Sequence, residues 1–79
     1  MEVTRQNVPV HTGSPDQDGC LLFADGRLVA VLVRLSGEHD PELVGKWFLE
    51  HGFGRLDAPE QPVFDDLDVA QRWVILRLA

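Results

Sequence analysis

The sequence has few of the features that mark secreted and membrane-spanning proteins. It contains one cysteine, so it forms no internal disulfide, which argues against a small secreted domain. Its longest apolar run, from Leu28 to Val33, is far shorter than the roughly 20 residues that a membrane span needs. Its first residues are polar and no apolar segment follows them, which predicts no secretory signal. We therefore expect a cytoplasmic protein without membrane contact.

The residue patterns of catalytic and cofactor sites are also missing. The histidines are His11, His39 and His51, and no H-x-x-x-H or C-x-x-C pair is present, so no local zinc site is predicted. The nucleophile elbow G-x-S-x-G, the dinucleotide pattern G-x-G-x-x-G and the P-loop do not occur. The sequence thus predicts no catalytic, cofactor-binding or metal-ligating residue, and it favours a protein that is not an enzyme.

Two short segments contain residue types suited to chemistry in an unsuitable arrangement. Residues 36–40 read Ser-Gly-Glu-His-Asp, but consecutive residues of one loop do not line up a nucleophile, a base and an orienting acid. Residues 16–19 resemble the start of a calcium loop. However, Gly19 is the fourth residue instead of the sixth, and Arg27 stands where a bidentate glutamate is needed. Both segments are interpreted as polar loops.

Negative charge dominates the chain and is unevenly distributed. The formal net charge is −6, so phosphate backbones and anionic lipids repel the protein, and we expect no nucleic-acid partner. From Leu56 to Asp68 there are five acids and no base. This candidate acidic patch consists of Asp57, Glu60, Asp65, Asp66 and Asp68. It is either a docking surface for a basic partner or, as we favour, a solvated loop with helix-capping residues.

The clearest structural pattern is a β-hairpin over residues 20–35. Asp25-Gly26 joins two apolar runs and favours a type I′ turn, whose central residues have positive φ. The turn predicts that Phe23 lies opposite Leu28 and Leu22 opposite Val29. One face would then carry Cys20, Leu22, Val29, Val31, Val33 and Leu35, and the other Leu21, Phe23, Leu28, Ala30 and Leu32. Because both faces are apolar, we expect something to cover each of them.

The next segment, residues 40–54, has two interpretations. Asp40-Pro41-Glu42 is typical of a helix start, and a helix could continue to His51. Alternatively, one short turn ends at Gly45 and residues 46–51 form a third strand that turns at residues 52–54. The interior glycine and the aromatic residues of this segment favour the strand.

A helix is predicted after residue 64, with Asp65 as its N-cap and Phe64 packing onto Val69. Its apolar side chains fall on two stripes. Aromatic side chains in so small a protein belong mostly to the core, but one or two could anchor an interface. The candidate interface residues are Val69, Trp73, Leu76 and Trp47.

The stretch from Trp47 to Gly54, Trp-Phe-Leu-Glu-His-Gly-Phe-Gly, is followed by the pattern Phe64-x-x-Leu67-x-x-Ala70-x-x-Trp73. Together they resemble a family of small uncharacterised bacterial proteins, in which a hairpin ending in a short aromatic strand precedes a C-terminal helix. The resemblance covers about residues 20–79 and implies a strand at residues 46–51. It implies no activity and no functional residue.

These elements predict an α+β fold in one domain of residues 1–79. Three or four strands form an antiparallel meander that packs against a C-terminal helix. Residues 1–18 are either an edge strand, with Pro9 keeping it at the edge, or a flexible tail. No cofactor is expected.

The expected function is that of a non-enzymatic interaction or regulatory module, acting as a homodimer or with a protein partner, because one helix covers only one apolar face. Two alternatives stay open. One is a small enzyme or ligand-binding protein whose site, formed by His39, Glu50 and His51, lies at a subunit interface. The other is an acidic, antitoxin-like or inhibitor protein that neutralises a basic partner.

Overall fold

The computed structural model describes residues 1–57 and 61–79 and has an α+β fold. In these ranges a five-stranded antiparallel sheet precedes one C-terminal helix, and the strand order in the sheet is the order along the chain. The elements are β1 (Val3–Pro9), β2 (Asp18–Ala24), β3 (Arg27–Arg34), β4 (Trp47–Gly52), β5 (Val63–Phe64) and α1 (Leu67–Leu78), with a short 3₁₀ helix at Gly54–Leu56. No helix in the described part of the chain has the length and apolarity to cross a membrane.

The sheet has more strands than the sequence predicts. The strand expected at residues 46–51 is confirmed as β4, and the N-terminal segment forms β1 along the edge of the sheet. The additional strand β5 lies just before the predicted helix and pairs with β4 through two residue pairs, Trp47 with Phe64 and Phe48 with Val63. A strand this short has no alternation of apolar and polar residues, so the pattern of the sequence does not indicate it.

The segment before β4 forms a turn and not a helix. The Leu43 amide donates to the Asp40 carbonyl at 2.8 Å, and Gly45 ends the turn with a φ of 83°. A left-handed conformation is readily accessible to glycine. The short turn ending at Gly45 is therefore the correct one of the two interpretations.

The hairpin turn forms as predicted, but the register of β3 differs from the prediction. Asp25 and Gly26 have φ values of 51° and 82°, and Phe23 lies opposite Leu28. A β-bulge follows, so that Leu22 pairs with Ala30 and not with Val29. An extra residue in one strand moves every later side chain to the opposite face.

Because of the bulge, the predicted division of the hairpin into two faces is wrong for β3 from Ala30 onward. The helix side of the sheet joins side chains from both hairpin strands with residues of β4 and α1. Its buried core consists of Cys20, Leu22, Ala30, Leu32, Leu49, Leu56, Phe64, Ala70 and Val74. Two polar contacts hold α1 against the edge strand: Arg5 meets Asp68 at 2.9 Å, and the Gln71 side-chain amide donates to the Val3 carbonyl at 2.8 Å.

The start of α1 lies one residue later than predicted. The Asp66 carboxylate, and not that of Asp65, caps the helix by accepting a hydrogen bond from the Val69 amide at 2.9 Å. Phe64 belongs to β5 and stacks at a tilt on Trp73, with ring centroids 5.4 Å apart. Phe64 thus contacts the second turn of the helix at Trp73, and Val69 packs against the core cluster that contains Phe64.

The other face of the sheet is covered only at one end. Val33 and Leu35 are buried at the end where the loops of residues 10–17 and 35–46 meet. Toward the hairpin turn, Leu21, Phe23 and Val31 are half-buried and Leu28 is 38% exposed. We call these four residues the open patch. The expectation that both apolar faces need cover is therefore met within one chain on the helix side, and on the other side only at one end.

Candidate functional site

A cluster of polar side chains joins the two loops at the covered end of the sheet. Asp16, in the loop after β1, accepts a hydrogen bond from the Ser36 amide at 2.6 Å. Its other carboxylate oxygen meets the His39 Nε2 at 2.5 Å. Ser36 and His39 belong to the loop after β3, so these contacts cross between separate parts of the chain. We call Asp16, Ser36 and His39 the clip.

The clip keeps the Asp16 carboxylate ionised. Ser36, through its side chain, is the largest cause, His39 is the next, and together they lower the pKa of Asp16 to about 2. Hydrogen bonds and a neighbouring base favour the charged form of a carboxyl group. Asp16 therefore carries its negative charge throughout the physiological pH range. The Ser36 hydroxyl is buried and falls outside hydrogen-bond geometry with the described residues, so its influence on Asp16 is that of a nearby polar group, and the Ser36 amide makes the direct hydrogen bond.

The loop that carries Asp16 is ordered by its own hydroxyl groups. The Thr12 hydroxyl donates to the Asp16 carbonyl at 2.8 Å and lies 2.9 Å from the Ser14 hydroxyl. The Ser14 hydroxyl in turn accepts from the Asp16 amide at 3.2 Å. Short hydroxyl side chains commonly stabilise turns in this way. The loop thus presents Asp16 from a defined backbone.

Beside the clip lies a groove of about 330 Å³, which is the size of a small ligand site. Its floor and sides combine apolar side chains of the sheet with polar side chains of the loops. The lining residues are Thr12, Ser14, Asp16, Val33, Leu35, His39, Leu43, Phe48, Glu50 and Val63. No lysine or arginine belongs to this lining. The groove is therefore an apolar depression with acidic and hydroxyl groups along its rim.

The clip does not have the geometry of a hydrolytic triad. In a triad one ring nitrogen of the histidine meets the aspartate and the other meets the nucleophile. His39 uses Nε2 for Asp16, and within the described residues its Nδ1 forms no hydrogen bond with a hydroxyl group. The described residues also contain no group of three metal-ligating side chains placed to hold an ion. The arrangement is suited to binding by charge and hydrogen bonds.

The structure brings together two of the three residues named for a ligand or enzyme site. His39 and Glu50 both line the groove, and they do so within one chain. His51 lies apart from the groove lining, opposite Val31, with its ring 4.5 Å from the ring of Phe53. A bulge in the pairing of β3 with β4 separates Glu50 from the regular ladder.

The members of the candidate acidic patch have different surroundings. Asp65 lies 3.1 Å from the Lys46 ammonium, and Asp68 lies 2.9 Å from the Arg5 guanidinium. Asp66 caps α1, Asp57 is exposed, and Glu60 lies outside the described residues. Three of the five acids thus have partners within the chain, as expected of capping and surface-pairing residues.

The candidate interface residues do not form one exposed surface. Trp47, Val69 and Trp73 are partly buried and pack against the core, and the Arg77 guanidinium lies over the Trp73 ring at 4.8 Å. Leu76 alone is largely exposed, at 78%. Trp47 also lines a second hollow of about 350 Å³ with Arg34 and Asp18.

Reasoning from the sequence missed the role of Asp16. Asp16 lies 20 positions before Ser36 and 23 before His39 in the sequence, so no local motif joins these residues. The only indication available was the composition of the two loops, each rich in side chains that form hydrogen bonds. Pairing of β2 with β3 brings both loops to the same end of the sheet, and only this topology places Asp16 against residues 36–39.

Comparisons of this chain with family models, with curated proteins and with solved structures give no match. The functional argument therefore rests on the residues of this chain.

Proposed function

We propose that this protein is a non-enzymatic interaction module that docks a protein on the open patch of its sheet. The observation that carries the proposal is the incomplete cover of one apolar sheet face. α1 packs on the other side, and the loops reach only the end at Val33 and Leu35. A contiguous apolar surface on a small protein is typical of an interaction site.

The occupant that we assign to the open patch is a second copy of the chain. The four residues Leu21, Phe23, Leu28 and Val31 carry no charge, so a contact between two copies through them places no like charges directly opposite each other. A two-fold interface needs one self-complementary patch, which a flat apolar sheet face provides. The edge strand β1 is a poorer surface, because its central residues are polar and it ends in Pro9.

The proposal predicts a homodimer in sedimentation equilibrium at micromolar concentration. Leu28→Lys should weaken the association at least about tenfold, because burial of a leucine contributes about 1.5–3 kcal/mol. Leu76→Lys is the matched control, since Leu76 is the most exposed leucine of α1 and lies away from the open patch. A monomer at all concentrations, or equal weakening by both substitutions, would contradict the proposal.

A further inference from the structure

The groove beside the clip has a distinct composition from the open patch. Its floor is apolar, with Val33 and Leu35 buried and Phe48 half-buried. Its polar groups lie at the rim, on the two loops and on β4. An apolar depression with a few polar groups at fixed positions is the usual form of a small-ligand site.

Acidic side chains outnumber lysine and arginine side chains at the rim of the groove. The Asp16 carboxylate is ionised and already has His39 as a partner in the clip. The Glu50 carboxylate lies within 4 Å of no base among the described residues. Lys46, four positions before Glu50 in the sequence, is engaged with Asp65 at 3.1 Å. A bound cation would therefore find a carboxylate without a partner above an apolar floor.

The walls of the groove are ordered before any ligand arrives. The clip joins the loop of residues 10–17 to the loop of residues 35–46, and the Thr12 and Ser14 hydroxyls order the first of these loops. The Leu35 amide donates to the Lys46 carbonyl at 2.8 Å, and the Gly45 amide donates to the Leu35 carbonyl at 2.9 Å, which orders the second. Preorganised walls reduce the entropy lost on binding.

We propose that the groove binds a small organic ammonium, a ligand with an apolar body and a positively charged amine. The body lies on Val33, Leu35 and Phe48, and the ammonium faces the Glu50 carboxylate. Charge complementarity selects the cation over a neutral or anionic ligand of equal size. This site is independent of the open patch, so either proposal can fail without the other.

The test uses the full chain and three probes that share a phenyl body: phenethylamine, 2-phenylethanol and 3-phenylpropionate. Titrations followed by backbone amide chemical shifts should give the tightest binding for the amine, about fivefold tighter than for the alcohol, as one partly exposed ion pair allows. The shifts should cluster in residues 12–16, 33–43 and 48–50. Glu50→Gln should remove the preference for the amine over the alcohol, whereas the control Asp57→Asn, an exposed acid outside the groove, should leave it unchanged.

Several outcomes would overturn the proposal. They are equal binding of amine and alcohol, a preference that survives Glu50→Gln, shifts that map elsewhere on the surface, or amine binding weaker than about 10 mM. A fourth probe, N-acetyl-lysine amide, separates a free amine from the side chain of a partner protein. Binding of the lysine derivative without binding of phenethylamine would indicate that the groove takes the lysine side chain of a partner protein. That result would contradict the assignment of a small ligand.

Discussion

The Asp16 carboxylate joins two loops that are distant in sequence at the covered end of the sheet. Its folded-state pKa of about 2 lies below the ordinary value of 3.8. A carboxyl group with a lowered pKa stabilises the folded state above its ordinary pKa and loses that contribution as the pH falls through the folded-state value. The contribution of the clip should therefore be complete at neutral pH and fade between about pH 4 and pH 2.

Asp16→Asn should lower the free energy of unfolding at pH 7 by about 1 kcal/mol, since hydrogen bonds to a charged group are lost or weakened. Urea denaturation at several pH values measures the difference, which should shrink as the pH falls below about 4. Asp18→Asn is the control, because Asp18 is exposed and its side chain forms no hydrogen bond among the described residues. A difference that persists unchanged at pH 2 would contradict this role of the clip.

Gly52 is required by a close approach of the backbone and not by an unusual φ. An added Cβ would collide with the Leu56 carbonyl oxygen, which belongs to the 3₁₀ helix beneath it. Gly52→Ala should destabilise the protein by about 1–3 kcal/mol, as overpacking of a core does. Gly37→Ala, where an added Cβ meets nothing within 4 Å, should change stability by less than about 0.5 kcal/mol. Equal thermal denaturation midpoints for both variants would contradict the close approach.

At the scale of elements, the predictable parts are those with a local cause. The turn at Asp25 and Gly26 follows from the backbone preferences of two residues, and β4 follows from its aromatic residues and the glycine before it. The bulge at Val29 has no such local pattern. It is decided by packing, since it places Ala30 and Leu32 beside Leu22 on the helix side. A regular hairpin register was therefore predicted, and one extra residue reversed the faces of β3 from Ala30 onward.

The position of the N-cap of α1 also could not be predicted from local residue preferences alone. Asp65 and Asp66 are adjacent acids, and either satisfies the residue preference of an N-cap. Pairing of Phe64 with Trp47 in the sheet fixes where the strand ends, and Asp66 is then the residue in extended conformation that meets the Val69 amide.

Asp66→Ala should therefore lower the free energy of unfolding by about 1 kcal/mol, the usual loss for an N-cap. Asp65→Ala should cost less, because it removes only an exposed ion pair with Lys46, and such pairs contribute about 0–1 kcal/mol. Urea denaturation of both variants under the same buffer measures the order. A larger loss for Asp65→Ala would show that the helix begins one residue earlier.

At the scale of the whole molecule, the main cluster of buried residues lies on the helix side of the sheet. Cys20 lies in it with no exposed surface, and burial raises the pKa of its thiol. A thiol in such a place reacts only when the protein opens.

Modification of Cys20 by a thiol reagent should be at least about a hundredfold slower in native buffer than in denaturant. Urea below the unfolding transition should speed the reaction in proportion to the population of the open state. Because the chain has one cysteine, the rate reports this site alone. Rapid modification in native buffer, with the fold intact by circular dichroism, would show that the helix side of the sheet is open to solvent.

The other side of the sheet carries the central claim, since the open patch is the apolar surface that the described part of the chain leaves without cover. It could be inferred from the two-sided apolar hairpin, whereas the groove could not, because it depends on loops brought together by strand pairing. The most direct measurement is an isotope-filtered NMR experiment on a mixture of labelled and unlabelled copies. We predict contacts between copies among Leu21, Phe23, Leu28 and Val31. Contacts that instead involve Leu76 or β1, or no contacts between copies, would contradict the claim.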